Sequence, residues 1–508
     1  MKNFITVILL ALTFFSGYSQ NDDAIKYAGT INRDDLYSHI SVLASDSLEG
    51  RETGQRGQKM AASYIRSNFE KLGLQPPVDT TDGKSYYQSF KLTKGTSGDT
   101  YMKIDGKKKV NGLDVLYWGT HSTEGNIQIE AIYAGNGSDL TNMDLNGKAV
   151  IMSIGGDFNN LTRKRDLAVQ QGADLILIIY GENERNHKKL IEAWRPYFMN
   201  PEIGFAPDEE SNRGGVFFIS SEQAAGILKA STEKLNDVLI AQMEGNTEAY
   251  SEIKPSSLIY KSTWLSNVMS TENVLGYLEG TDRKDEIIIV TAHYDHEGIK
   301  GDVIYNGADD DASGTSSLLE IAEAFVKAKS EGKGPRRSIL FMTVTGEEKG
   351  LIGSEYYVSH PVFPLNKTVV DLNIDMVGRI DPKHEDNPNY VYLVGADKLS
   401  SELHQISEKV NDTYTQFELD YTYNEEANPE KIYYRSDHWN FAKNNVPVIF
   451  YYNGTHADYH KPTDTIEKIE FDLLTKRAQF VFHTAWELAN RDKRIALDKM
   501  QKTSLGSK

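Results

Sequence analysis

The chain has 508 residues, 39% of them hydrophobic and 25% charged, with no cysteine and a formal net charge of −18. That length exceeds what one hydrophobic core ordinarily supports and points to two or more domains. The acidic balance excludes nucleic acid as a partner and leaves no basic stripe for anionic lipid; without cysteine there is no disulfide framework and no thiol to carry a lipoprotein anchor.

Residues 1–19 read as a cleaved secretory signal: Lys2 supplies the positive start, 4–15 is an apolar run, and Ser16, Gly17 and Ser19 offer small residues for cleavage after Ser19 or Gln20. The run is too short to span a bilayer and no later one is long enough, so the product is expected to be exported, periplasmic or extracellular, with no membrane span. Residues 20–108 read as helical, with stripes Leu36, Ile40, Leu43, Ala44 and Ala61, Ile65, Phe69, Leu72, the second stopped by Gly73. Between the stripes the glycine-punctuated stretch from Leu48 to Gly54 reads as a structural turn. This region is too small for a core of its own and is expected to pack onto the main sheet.

Residues 109–254 change character, with short strands at 127–133, 148–154, 175–180 and 215–219 and a helix at 163–171. They carry no His/Asp/Glu cluster and read as a smaller β-rich α/β domain inserted into the main one. The polar, proline-containing stretch 182–214 reads as a long mobile loop. Residues 255–495 return to α/β alternation, with strands at 286–291, 338–344, 368–374, 390–394 and 446–452 and a closing helix at 471–490, ahead of a polar tail, 496–508. Strands alternating with helices imply a mostly parallel central sheet with helices on both faces.

Polar clusters follow four of these apolar runs. His293-x-Asp295 and Asp309-Asp310-Asp311 follow the first, Glu347-Glu348 the second, Asp375 the third, and His456 to Asp464, with Tyr459 and His460, the last. Singly each is weak: a Glu pair suits a helix start, and a lone Asp caps turns. Together they converge on the edge of a sheet where α/β folds bind ligands. Two histidines and several carboxylates make the nitrogen and oxygen set that zinc accepts, enough for two ions, with one spare Glu beside a ligand Glu available as general base.

These motifs together, with Gly307-Ala-Asp-Asp-Asp-Ala-Ser-Gly314, Asp375-Met-Val-Gly378 and Asp458-Tyr-His460-Lys-Pro-Thr-Asp464, resemble the co-catalytic dizinc aminopeptidase family of secreted leucyl aminopeptidases (clan MH) over about residues 30–108 and 260–490. Residues 109–254 resemble the protease-associated domain that many members carry as an insertion. The resemblance implies a zinc-exopeptidase fold (phosphorylase/hydrolase-like), two Zn²⁺ per chain, and peptide or protein N-termini as substrate. It makes Asp310 the bridging carboxylate, with His293 and Asp375 completing one zinc site and Glu348 and His460 the other. Asp295 is expected to hydrogen-bond the second nitrogen of His293, Glu347 to act as general base, and Tyr459 to stabilise the oxyanion. Asp437 and His438, in a segment that also resembles the family near its site, are expected to contact substrate. The alternatives are a carboxypeptidase or glutaminyl cyclase reaction on the same scaffold, or a non-catalytic, receptor-like binding protein.

Overall fold

The computed structural model describes residues 21–153, 160–180, 183–205, 215–246 and 248–499; the expected signal segment lies outside them. It divides into two compact units, one formed by residues up to Phe90 together with Thr271–Lys502, the other centred on Lys91–Ser270. The division falls inside two strands, Tyr87–Ser97 (β1) and Trp264–Leu278 (β2), rather than at the composition changes near residues 108 and 254.

The first unit is built on a mixed sheet, which continues through β3 (Arg283–His293), β4 (Arg337–Val344), β5 (Thr368–Ile374), β6 (Tyr390–Val394), β7 (Glu418–Asp420) and β8 (Val448–Tyr452). Across the sheet these run β1-β2-β4-β3-β5-β8-β6-β7. The central four, β4, β3, β5 and β8, are mutually parallel, while β2 joins β4 and β6 joins β8 antiparallel. The parallel strands read as unbroken apolar runs because both of their faces are buried. Ile288, Val290 and Ala292 of β3 enter one core, shared with helices α1 (Asp22–Ala28), α2 (Arg33–Leu43), α3 (Arg56–Leu72), α4 (Gly314–Ser330) and, through Leu403, α5 (Ser401–Val410), and with the closing helix α6 (Phe471–Asn490). Ile287 and Ile289 enter a second core on the opposite face with Tyr357, Phe441 and Ala442.

Two expectations for local structure are corrected. Residues 20–108 are not all helical: after α3 stops at Gly73, with φ 75°, the chain forms strands from Val78 onward. Polar and apolar residues alternate along β1 (buried at Gln88, Phe90 and Leu92), a period of two that only a sheet neighbour turns into burial. The stretch 182–214 is not a loop throughout, because Glu184–Met199 is a helix that buries His187, Leu190 and Ile191. Asn183 caps it through its side chain.

Among the described residues, the second unit has an eight-stranded sheet whose centre, Ile127–Tyr133, Lys148–Ser153, Leu175–Ile179 and Gly215–Ile219, is parallel. Helices Leu161–Gln170, Ser221–Leu228 and Thr232–Met243 accompany it, with apolar cores on both faces.

In the first unit, Asp371 sits on β5 with no solvent exposure. Burial pushes its carboxyl well above the ordinary value, opposed by the Thr291 hydroxyl and reinforced by Asp437. A carboxyl neutral when folded and ionised when unfolded costs stability as pH rises above its unfolded value near 3.8. Asp371→Asn is therefore expected to stabilise the protein by about 1 kcal/mol at pH 8, or roughly 2–4 °C in Tm, with the gain vanishing near pH 3.5; thermal unfolding across pH checks this.

Candidate metal centre

The four parallel strands end on the same edge, and each delivers its polar residues there. His293 closes β3, Glu347 and Glu348 follow β4, Asp375 follows β5, and the turn after β8 carries Tyr459 and His460. The Asp cluster lies between β3 and α4. Its flanking glycines are required by close packing: a Cβ on Gly307 (φ 54°) would stand 2.1 Å from the Asp310 carbonyl oxygen, and one on Gly314 2.4 Å from the Ile374 carbonyl oxygen.

Three adjacent aspartates have three different tasks. Asp311 accepts backbone N–H bonds from His293, Gly314 and Met376 at 3.2, 2.8 and 3.0 Å, tying three ligand-bearing segments together. Asp309 accepts from Gly378 N–H at 2.6 Å and from the Ser313 hydroxyl at 3.0 Å. Asp464 takes the N–H groups of Asp309 and Asp310 at 3.0 and 3.1 Å. Asp310 alone turns its carboxylate to the other donors. Its Oδ1 lies 3.2 Å from His293 Nε2 and its Oδ2 3.2 Å from His460 Nε2. Asp375 Oδ1 is 3.5 Å from the same His293 nitrogen, and Glu348 Oε2 is 3.0 Å from the same His460 nitrogen. Four donors around one zinc ion at about 2.0–2.2 Å stand about 3.3 Å apart. The separations on both sides of Asp310 match that spacing.

The unsatisfied atoms point the same way. His293 Nε2, Asp310 Oδ2 and Glu348 Oε1 are buried without a hydrogen-bond partner among the described residues, and such groups are costly unless something compensates them. The electrostatics agree. Burial raises the Asp310 carboxyl, but His293, His296 and His460 outweigh it and hold the group well below the carboxylate range. Glu348 is likewise held at about 2, while burial pulls His460 down and Asp310 and Glu348 push it up to about 10. Anions stay charged and draw positive charge between them, the property of a cation site. Among the described residues, three donor groups are compact enough to hold an ion: His293 with Asp310 and Asp375; His296 with Asp310 and Glu348; Glu297 with Glu348 and His460.

Around this centre, Glu347 is partly buried and lines a cleft with Asp310, Asp375, Arg435, Phe450, Tyr452 and Tyr459. Its carboxyl is raised well above the usual range by burial and by Asp375, Glu348 and Asp437, against His293. Tyr459 stacks on His460 with ring centroids 3.8 Å apart, and its hydroxyl is held neutral by burial and by Asp310, Glu348 and Glu347.

Two expectations change on contact with this geometry. The Asp295 carboxylate does not bond His293: its Oδ1 is 3.8 Å from Nδ1, and the carbonyl oxygen of Asp295 stands 3.1 Å from that nitrogen instead. The carboxylate is already engaged, accepting from the Thr53 hydroxyl at 2.7 Å and from Glu347 N–H at 3.2 Å. Asp437 and His438 are fully buried. Asp437 accepts from the Ser354 hydroxyl, and His438 stacks on Phe450 at 4.8 Å and packs beside Tyr433, its imidazole lowered to about 3 by burial. Both side chains belong to the packing beneath the cleft, while Arg435 in the same segment reaches its wall.

Several contributors lie outside the motif set. The Leu48–Gly54 turn, read as structural, supplies Thr53 and also Arg51, a fully buried guanidinium. Arg51 donates to the carbonyls of Tyr294 and Gly307 at 2.8 and 2.9 Å and to those of Leu43 and Asn306, clamping the two segments that flank the Asp cluster. Ser436 donates to Asp375 Oδ2 at 2.7 Å and accepts from Asn373 Nδ2 at 2.8 Å. His296, one residue past Asp295, enters the donor set directly. The only signal in the sequence is that these polar residues sit inside or beside the glycine-rich and acidic motifs.

Residues 273–485 match the model described as Peptidase family M28. Over 479 residues the chain is 24% identical to Aminopeptidase YwaD of Bacillus subtilis (strain 168), covering 92% of this chain and 87% of that protein. A probable leucine aminopeptidase of Arthroderma otae (strain ATCC MYA-4605 / CBS 113480) is 30% identical over 215 residues, 41% of this chain and 55% of the fungal protein. Among solved structures, an aminopeptidase from Aneurinibacillus sp. strain AM-1 shares the fold, with a TM-score of 0.53 at 20% identity over 94% of this chain and 98% of that one. Residues 273–485, the part of the chain that matches the M28 peptidase model, carry every donor from His293 to His460.

Proposed function

We propose that this chain is an exported dizinc aminopeptidase that removes residues from the free N-termini of peptides. The observation that carries the proposal is the division of Asp310, whose two oxygens face two different imidazole–carboxylate sets. The mixed nitrogen and oxygen donors suit zinc. His293, Asp310 and Asp375 would hold one ion, and Asp310, Glu348 and His460 the other. The similarity to proteins named as aminopeptidases supports the direction of attack. So does the carboxylate-rich cleft, which favours the ammonium group of a free N-terminus over a blocked one. Export rests on the N-terminal segment, and residues 109–254 are read as a protease-associated insertion.

When bound, the two zinc ions supply Lewis acidity, lowering the pKa of a water at the site and polarising the scissile carbonyl. The chain does the rest. Glu347, on the wall of the cleft, accepts the proton of the attacking water and returns it to the leaving amine. The neutral Tyr459 hydroxyl donates to the oxygen that becomes negative in the tetrahedral state. Asp295 acts on Glu347 as much as on histidine, since it holds the Glu347 backbone N–H and is itself held by Thr53. The Asp295 carbonyl fixes the proton of His293 on Nδ1 and leaves Nε2 for the cation.

On aminoacyl-nitroanilides, turnover is expected with free-amine substrates, to be lost with a zinc chelator and restored by zinc, and to be absent with the N-acetylated counterparts; equal cleavage of blocked substrates would contradict the aminopeptidase reading. Glu347→Gln is expected to lower kcat by about 10²–10⁴-fold while zinc content by elemental analysis stays unchanged. Ser436→Ala removes the hydroxyl that orients Asp375 and is expected to weaken one of the two cation affinities about 10–100-fold, measured by titration of chelated protein with Co²⁺.

A further inference from the structure

The two cation positions are not equivalent, and His296 is the reason. Its side chain has no solvent exposure, and neither ring nitrogen has a hydrogen-bond partner among the described residues. Nδ1 nevertheless lies 2.8 Å from Glu348 Oε1 and 3.8 Å from Asp310 Oδ2. The approach to Glu348 lacks hydrogen-bond alignment, since both atoms remain unsatisfied at that distance. Two unsatisfied donor atoms side by side and misaligned with each other are aimed at a third point. His460 Nε2 faces the same two carboxylates, at 3.0 and 3.2 Å, and its ring stands edge-on to that of His296 with centroids 5.9 Å apart.

The surroundings fix the ring where it is. The backbone N–H of His296 donates to the Arg51 carbonyl at 3.2 Å. The ring lies against Gly307, where a Cβ would come within 2.6 Å of it. A buried imidazole in an ordinary core finds a carbonyl or hydroxyl for at least one nitrogen. His296 has been given two carboxylate ligand candidates instead.

We propose that His296 is a fourth protein ligand, through Nδ1, at the cation position formed by Asp310, Glu348 and His460. This rests on the dizinc reading above and extends it. Zinc sites with four protein donors are closed and structural in character, whereas catalytic ones keep a coordination place open. The position of Asp310, Glu348, His460 and His296 is then closed, and the open coordination falls to the position of His293, Asp310 and Asp375. Glu347 belongs with that second position, since it lines the same cleft as Asp310 and Asp375. An ion held by His296 as well as by Asp310, Glu348 and His460 would be the more firmly retained of the two.

The test counts imidazole ligands. The full chain, labelled with ¹⁵N-histidine and stripped with chelator, is loaded with ¹¹³Cd²⁺ alone, and histidine nitrogens split by cadmium are counted by NMR. Three split signals are expected, from His293, His296 and His460, with one of them lost in His296→Gln and the other two kept. Two split signals in the unsubstituted chain, unchanged in the variant, would overturn the inference while leaving the two-cation reading standing. Fewer than two bound cadmium ions per chain by elemental analysis would overturn both. The count in the unsubstituted chain decides the matter even where the variant fails to fold.

Discussion

Asp310 must satisfy two histidines at once, and most of the first unit can be understood as the means of holding it there. A carboxylate buried beside Glu348, Asp375, Asp309 and Asp311 is strongly disfavoured by desolvation and by like charge. The chain relieves this by assigning tasks. Asp311 and Asp464 are engaged by backbone N–H groups, and Asp309 by the Gly378 N–H, the Ser313 hydroxyl and His456, whose Nε2 lies 3.1 Å from its Oδ2. Asp310 and Glu348 are left facing imidazoles. The negative charge that remains is concentrated at one point, and a divalent cation is the natural means of neutralising it.

The parallel sheet makes such concentration possible. Strands β4, β3, β5 and β8 run the same way, so their ends collect residues that lie up to 167 positions apart, from His293 to His460, on one edge. Precision comes from the layer beneath. Asp371 and Asn373 share the Thr291 hydroxyl, both at 2.8 Å, and Asn373 leads through Ser436 to Asp375. Arg51 performs a similar service with main-chain carbonyls. A buried guanidinium bonded only to carbonyls is unusual, and here it adds positive charge close to the acidic cluster while locking the segments that carry it.

Much of this was legible from residues alone, and the division follows physical lines. Strands β3, β4, β5, β6 and β8 announce themselves because burial on two faces demands unbroken apolar runs, and the closing helix because its apolar stripe recurs at helical spacing over its whole length. The candidate donors were legible as a set, because acids and histidines recur directly after four such strands although each alone suits a helix start or a turn. Strands β1 and β2 were not, since their polar residues become buried only through neighbours such as the Gln88–Asn273 hydrogen bond at 3.0 Å. Helix Glu184–Met199 was hidden by its charged outer face and by Pro196 in its last turns. The tasks of Arg51, Thr53 and Asp295 were hidden for a deeper reason. Their partners are backbone groups or residues distant in sequence, and no spacing rule records them. Asp295 is the clearest case, since the motif places it beside His293 while its oxygens are taken from elsewhere.

The central claim is that one carboxylate, Asp310, joins two cation positions. Anomalous diffraction at the zinc edge from crystals of the zinc-loaded chain tests it directly. Two peaks about 3.5–4 Å apart, one against each Asp310 oxygen, are predicted. A single peak, or two peaks of which either lies away from Asp310, would contradict the account.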